Sequence, residues 1–541
     1  MSRTETAARS TMLHAPRLVR WAKLVVLVAV FAVGFFWLAA PARNPGNSFA
    51  FACDPFGYLR QAQLFQQKGL IGGLDTSIRR SDAQYLVDQA KRLGLPERTW
   101  ADGVAPHCYR YDSGSQAIIG QYPPGTGFFL SLFRQGTGGQ HSYTVAIGLA
   151  AIAALAACLL FQPGPFGVVL AAGAVVGMTE MLRVPMSFAS YSIPWSVALI
   201  AICAMVAICL PMLAGRRQLG VGLLLGLLTG MLVQLRLPNI FIAAGLAVFL
   251  IVEWRLWTLR AIKQHAVVIL ASSATFLLAG PGLLAWFNRI NTGSALRTTY
   301  GASDATGVEF LWSVIRPNAK YYFWTGDDWA FVDASLVLLA LAAMKAISPG
   351  GRGLRGAVAG SAVLMAITTA FFLTHRIAAP YYMVPSAALV IFLLAFAWCR
   401  LPAPRFVLPA RAVAIVLIGF ACLVGLRMKA SSAPLFKMIA PQEILQPDAV
   451  VWSEIMSGSL LYYNDKFAAK LPFVHFCTRF DFVRAIQEVG RPQYFVVDSD
   501  LLRSNVKELA ASTEQVGVYD AQEPFPVLRL VTMNPKPAGC P

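Results

Sequence analysis

Apolar runs long enough to cross a bilayer recur along most of this 541-residue chain, and no other feature constrains its fold more. A helix needs about 17–25 apolar residues to span the hydrocarbon. Lipid offers backbone N–H and C=O groups no partner, so only helices or closed barrels cross it. The runs are too long and too uniformly apolar for barrel strands. Hydrophobic residues make up 57% of the chain and charged residues 13%. The chain therefore reads as a polytopic α-helical membrane protein.

The runs predict eleven spans, near 23–40, 142–161, 166–182, 193–213, 218–236, 239–254, 266–287, 331–346, 357–374, 380–398 and 411–427. Lys and Arg collect on the cytoplasmic side of such proteins. The N-terminal tail carries Arg3, Arg9, Arg17, Arg20 and Lys23. Loops on its side carry Arg216, Arg217, Arg255, Arg260, Lys263, Lys345, Arg352, Arg355, Arg400, Arg405 and Arg411. The short loops opposite carry one basic residue each, Arg183, Arg236 and Arg376. A cytoplasmic N-terminus is expected, with segments 41–141, 288–330 and 428–541 outside. The net charge of +18 is accounted for by this loop bias, so no nucleic-acid partner is expected.

Segment 428–541 is more polar, with strand-like runs at 449–453, 494–498 and 526–531 and helical stretches at 480–489 and 501–511. That alternation predicts a small α/β domain, set against a membrane part at 1–427. Cys53 and Cys108 lie in the first outer segment, Cys477 and Cys540 in the last. An even number in each fits two disulfides in an oxidising compartment. Bonding of either pair requires alpha carbons about 4.4–6.8 Å apart.

Two motifs bound the polar stretch after the first span: Cys53-Asp54-Pro55-Phe56-Gly57-Tyr58 and Tyr122-Pro123-Pro124-Gly125-Thr126. Asp54 precedes a helical pattern with proline in its first turn. It can cap that helix, or act as a general base at the membrane surface with Tyr58 on the same helical face. The two prolines can start, but not interrupt, a short apolar helix over 127–133. Asn288–Gly301, containing Arg297, is a loop of turn formers and hydrogen-bonding groups. His375-Arg376 and Pro380-Tyr381-Tyr382 lie at the outer mouth of two spans, where Arg376 can hold a phosphate or snorkel to headgroups. Glu180 and Arg183 end the third span, as a functional pair or a salt bridge. Asp327-Asp328 can bind a divalent metal or simply solvate a loop. The chain shows no zinc spacing, P-loop, dinucleotide motif or serine nucleophile.

In order and sidedness these motifs resemble the GT-C class of integral-membrane glycosyltransferases, in the bacterial branch of aminoarabinose transferases and protein O-mannosyltransferase relatives. The resemblance covers nearly the whole chain, including Trp452–Tyr463 in the last segment. It implies a bacterial inner-membrane enzyme with a periplasmic C-terminal domain. It implies a polyprenyl-phosphate-linked sugar donor, and an acceptor hydroxyl on a glycan, lipid or protein. Asp54 would deprotonate the acceptor, with inversion at the anomeric carbon. Arg376, then Arg297, Arg183 and Arg236, would stabilise the leaving phosphate. Tyr58, Tyr122, Glu180, His375 and Tyr381 would line the substrate site. Relatives often carry a second acidic residue near the first. Here Phe56 stands there, which leaves Glu180, Asp102 or Asp112 to supply it. A transporter or flippase of lipid-linked or small substrates is the alternative, distinguished by a midplane cavity. A cavity at the outer membrane boundary lined by Asp54 and a basic residue would favour the enzyme, and a non-catalytic assembly protein would have neither cavity.

Overall fold

The structure is a computed structural model. It describes residues 53–133, 138–161, 163, 165–182, 191–300, 310–326, 329–379, 381–401, 445–446, 448–471, 476–520 and 524–540. The spans expected at 23–40 and 411–427 lie outside the described residues. The chain is a multi-pass helical membrane protein: six described helical stretches are long and apolar enough to cross a bilayer.

The polar segment opens with α1 (Asp54–Gly72), followed by α2 (Ser81–Arg92). A hairpin of β1 (Tyr109–Asp112) and β2 (Ala117–Gly120) leads to α3 (Pro124–Ser131). The long apolar helices are α4 (Gly138–Phe161), α5 (Pro165–Leu182), α6 (Ser192–Cys209), α7 (Gly215–Leu235), α8 (Ile240–Trp254) and α9 (Leu259–Leu277). A π-helical turn at Leu278–Gly282 accommodates Pro281 and carries α9 into α10 (Leu283–Thr292). Such a turn absorbs the hydrogen bond that proline removes. Then come α11 (Trp329–Ile347), α12 (Arg355–Thr374) and α13 (Val384–Cys399). The spans expected between 142 and 398 fall on these helices, the one at 266–287 running from α9 through the π-helical turn into α10. Gly222, Gly226 and Gly230 form a stripe on α7. A Cβ at Gly230 would lie 2.8 Å from Ala279 Cβ, so small residues let α7 meet the end of α9 backbone to backbone.

The last segment folds as β3 (Val450–Trp452), α14 (Ser457–Asn464), α15 (Phe476–Glu488), β4 (Gln493–Val496), α16 (Asp500–Leu509), β5 (Ala510–Asp520) and β6 (Pro524–Met533). Its sheet runs β3-β4-β6-β5, parallel between β3 and β4 and antiparallel elsewhere. Three of its strands and two of its helices match the sequence pattern. The helix read to 511 stops at Leu509, and β5 follows at once.

This segment shares one hydrophobic core with the first. Phe56, Trp100 and Tyr109 join Trp452, Phe480 and Phe495 in it. Lys470 Nζ pairs with Asp102 at 2.5 Å, and Arg80 with Asp465 at 2.6 Å. Both cysteine pairs are disulfides, with alpha carbons 5.2 Å apart for Cys53–Cys108 and 5.3 Å for Cys477–Cys540.

Candidate active site

α1 begins in the polar segment with Pro55 in its first turn, where the missing N–H costs nothing. The N-cap position falls on Cys53, so Asp54 is itself helical. Its carboxylate is held by groups from outside the helix. Oδ1 accepts the Tyr122 hydroxyl at 2.6 Å and Oδ2 the Tyr381 hydroxyl at 3.0 Å. Tyr122 reaches it across Gly57, where any Cβ would overlap the Tyr122 ring. Tyr58, one turn on from Asp54, packs on Tyr122 with ring centroids 4.4 Å apart and planes tilted by 46°. It is hydrogen-bonded to Ser192 and Tyr300. Thr299 donates to the Gln121 carbonyl at 2.9 Å, which ties the Asn288–Tyr300 segment to Tyr122.

Among the described residues, Arg236 is the arginine whose charge acts on Asp54. α7 stops at Leu235, and Arg236 is extended, with φ −156° and ψ 132°. Asn239 fixes this break by donating to Ser196 Oγ and to the Leu232 carbonyl, both at 2.9 Å. Arg236 is only 8% exposed. Its guanidinium carbon lies 5.2 Å from the Tyr381 ring centroid and 5.4 Å from that of Tyr382. Such cation–π contacts hold a guanidinium in place without neutralising it.

Burial pushes the Asp54 carboxyl above the ordinary carboxylate range. The Tyr122 hydrogen bond, the Arg236 charge and the Tyr381 hydrogen bond pull it back only in part. Burial and the Asp54 charge keep the Tyr122 phenol protonated, far above its usual value. The arrangement is a basic carboxylate held by two donor phenols beside a fixed positive charge.

An apolar cavity of about 270 Å³ is lined by Phe65, Leu74, Pro124, Phe128, Met231 and Trp286, among others, and by none of the cluster residues themselves. It also touches Gly125 and Gln234, three residues after Tyr122 and two before Arg236. α3 reaches this position because Gly125 lies against Gln234 and Gly127 against Gln61. A Cβ at either glycine would come within 2.6 Å of those neighbours.

Asp54, Tyr58, Tyr122, Arg236 and Tyr381 are therefore brought together. His375 stands further back, its ring 5.7 Å from Phe371 and 6.1 Å from Tyr382. Arg376 is exposed. Arg297 pairs with buried Asp112 at 2.8 Å, and Asp102 with Lys470. The Glu180 side chain, Arg183, Asp327 and Asp328 lie outside the described residues. Cys53, His107 and Cys108 are close enough to share an ion. The two cysteines are bonded to each other, however, and a disulfide offers no thiolate. Tyr300 and Tyr382 complete the cluster. Neither was assigned a role of its own from sequence; the only signal was their place in outer motifs rich in hydroxyl groups.

No family model and no curated protein matches the chain. Among solved structures it is similar to ArnT from Cupriavidus metallidurans in the apo state. Identity is 12%, over 95% of this chain and 98% of that one, with a TM-score of 0.52. ArnT is a GT-C aminoarabinose transferase. The fold is that of the GT-C class. A second structure, ArnT from the same organism bound to undecaprenyl phosphate, aligns at 13% identity over 94% of this chain and 98% of that one, with a TM-score of 0.49. On the GT-C fold of this chain, the tyrosine cluster joins the start of α1, the start of α3, the α7–α8 break and the start of α13.

Proposed function

We propose that this protein is a glycosyltransferase that moves a sugar from a polyprenyl-phosphate carrier to an acceptor hydroxyl. The observation that carries this reading is the Asp54 carboxylate, held by Tyr122 and Tyr381 beside buried Arg236, with an apolar cavity lined by Gln234, two residues before that arginine. The carrier's isoprenoid chain would lie in that cavity, with its phosphate toward Arg236. The acceptor hydroxyl gives its proton to Asp54 as its oxygen bonds to the anomeric carbon. The bond from that carbon to the phosphate oxygen breaks, and the electron pair leaves with the phosphate. Arg236 faces the charge that develops there. Attack opposite the leaving group inverts the anomeric configuration. In this reading the N-terminus is cytoplasmic and the site faces the periplasm. Residues 1–427 carry catalysis, and 428–541 form an outer domain that buttresses α1. The acceptor is a glycan, a lipid or a protein.

Mass spectrometry of envelope glycans and lipid carriers, with and without the protein, tests this. Loss should leave sugar-loaded carrier accumulating and a glycan short of one residue. Unchanged carriers and glycans would reject the reading. Redistribution of an intact carrier across the membrane would identify a flippase instead.

Gly57→Ala provides a finer test. The added methyl displaces Tyr122 and removes one hydrogen bond to Asp54. Bonds to charged groups contribute about 1.5–3 kcal/mol, so kcat should fall about 10–100-fold. A Gly57→Ala enzyme with unaltered kcat would show that Tyr122 does not hold the carboxylate.

A further inference from the structure

The C-terminal segment reaches the back of the Asp54 helix by a route the transfer chemistry does not use. Asp498 accepts Ser453 Oγ at 2.7 Å, the Glu454 amide at 3.1 Å and the Met456 amide at 2.6 Å. These bonds fix the turn from β3 into α14. Ser457, the first residue of α14, accepts the His107 amide at 2.9 Å. His107 precedes Cys108, whose disulfide partner Cys53 precedes Asp54. The next residue, Gly458, lies on Phe56. A Cβ at Gly458 would stand 2.8 Å from Phe56 Cβ and closer still to the ring.

Phe56 has no room to yield. It is 0% exposed and packs on Tyr109 at 5.3 Å between ring centroids. The contact falls at the root of the side chain, not at a movable tip. Two residues along an α-helix is a turn of about 200°, so Phe56 and Asp54 occupy nearly opposite faces of α1. Pressure on Phe56 therefore moves the first turn of α1 and, with it, the carboxylate.

We propose that Gly458 is a positioning residue for Asp54: by lacking a side chain it lets α14 seat against Phe56, and this contact sets the carboxylate's distance to Tyr122 and Tyr381. The inference rests on the transferase reading above. A reacting group displaced by about 1 Å can cost about 100-fold in rate.

The test uses the full-length enzyme in lipid nanodiscs with a polyprenyl-phosphate sugar and its acceptor. Gly458→Val should lower kcat about 100-fold and Gly458→Ala about 10-fold, with the donor KM within about threefold. Both variants should still fold and keep the Cys53–Cys108 bond, with Tm lowered by the overpacking. Phe56→Ala combined with Gly458→Val reopens the space and should restore kcat to within about tenfold of Phe56→Ala alone. Unchanged kcat in folded Gly458→Val overturns the proposal. So does a loss that the double variant leaves in place, or a Gly458→Ala chain that fails to fold, since the residue would then serve folding alone. None of these outcomes touches the role of Asp54, which its own substitution decides.

Discussion

Asp54→Asn should fold normally and lose transfer by about 10²–10⁴-fold, the usual contribution of a positioned base. Asparagine keeps the size of the side chain and one acceptor oxygen, so Tyr122 or Tyr381 retains a partner. It cannot take a proton. The measurement is single-turnover transfer beside thermal unfolding, and near-normal turnover in the folded variant would remove Asp54 from its role. The pH dependence carries a second sign. A base must be ionised to act, so activity is lost as pH falls through its folded pKa. Burial raises that value from 3.8, which places the acid limb of kcat/KM above the ordinary carboxylate range. Tyr381→Phe removes a hydrogen bond that holds the value down, so its acid limb should move further up.

Arg236→Gln is expected to cost about 10²–10³-fold in kcat, as does loss of one preorganised group facing developing negative charge. Arg236 is held against the Tyr381 and Tyr382 rings, which fix its charge beside Asp54. The substitution also deletes a charge that lowers the proton affinity of Asp54. The acid limb should therefore rise together with the fall in rate, whereas a purely structural lesion would lower kcat without moving it. Arg376→Gln is the matched comparison, because Arg376 is exposed. Full activity in Arg236→Gln and a crippled Arg376→Gln would transfer the phosphate role to Arg376.

The long helices were legible because lipid permits one solution for an apolar run of that length. Asp54, Tyr58 and Tyr122 were legible because proline and glycine punctuate the motifs that hold them. Which arginine stands beside Asp54 was not. Arg236 and Arg376 each stand alone in a short loop, and sequence does not say which loop folds inward. The break before Pro238, pinned by Asn239, turns Arg236 into the cluster. Strand β5 was missed because α16 passes into it at Leu509–Ala510 with no glycine or proline between. The seat of Phe56 on Gly458 was invisible for another reason. Nothing in a linear reading pairs a glycine near the end of the chain with a phenylalanine near its start.

That shared core has a consequence for biogenesis. Ribosomes deliver Asp54 early and Gly458 late, so the membrane helices are made while the first turn of α1 still lacks its backing. A chain interrupted before α14 would be inserted yet inert, its reaction centre waiting on translation of the last segment. On the proposed reading, synthesis thus carries its own completeness check: transfer begins only once the last segment has met α1 on the outer side of the bilayer.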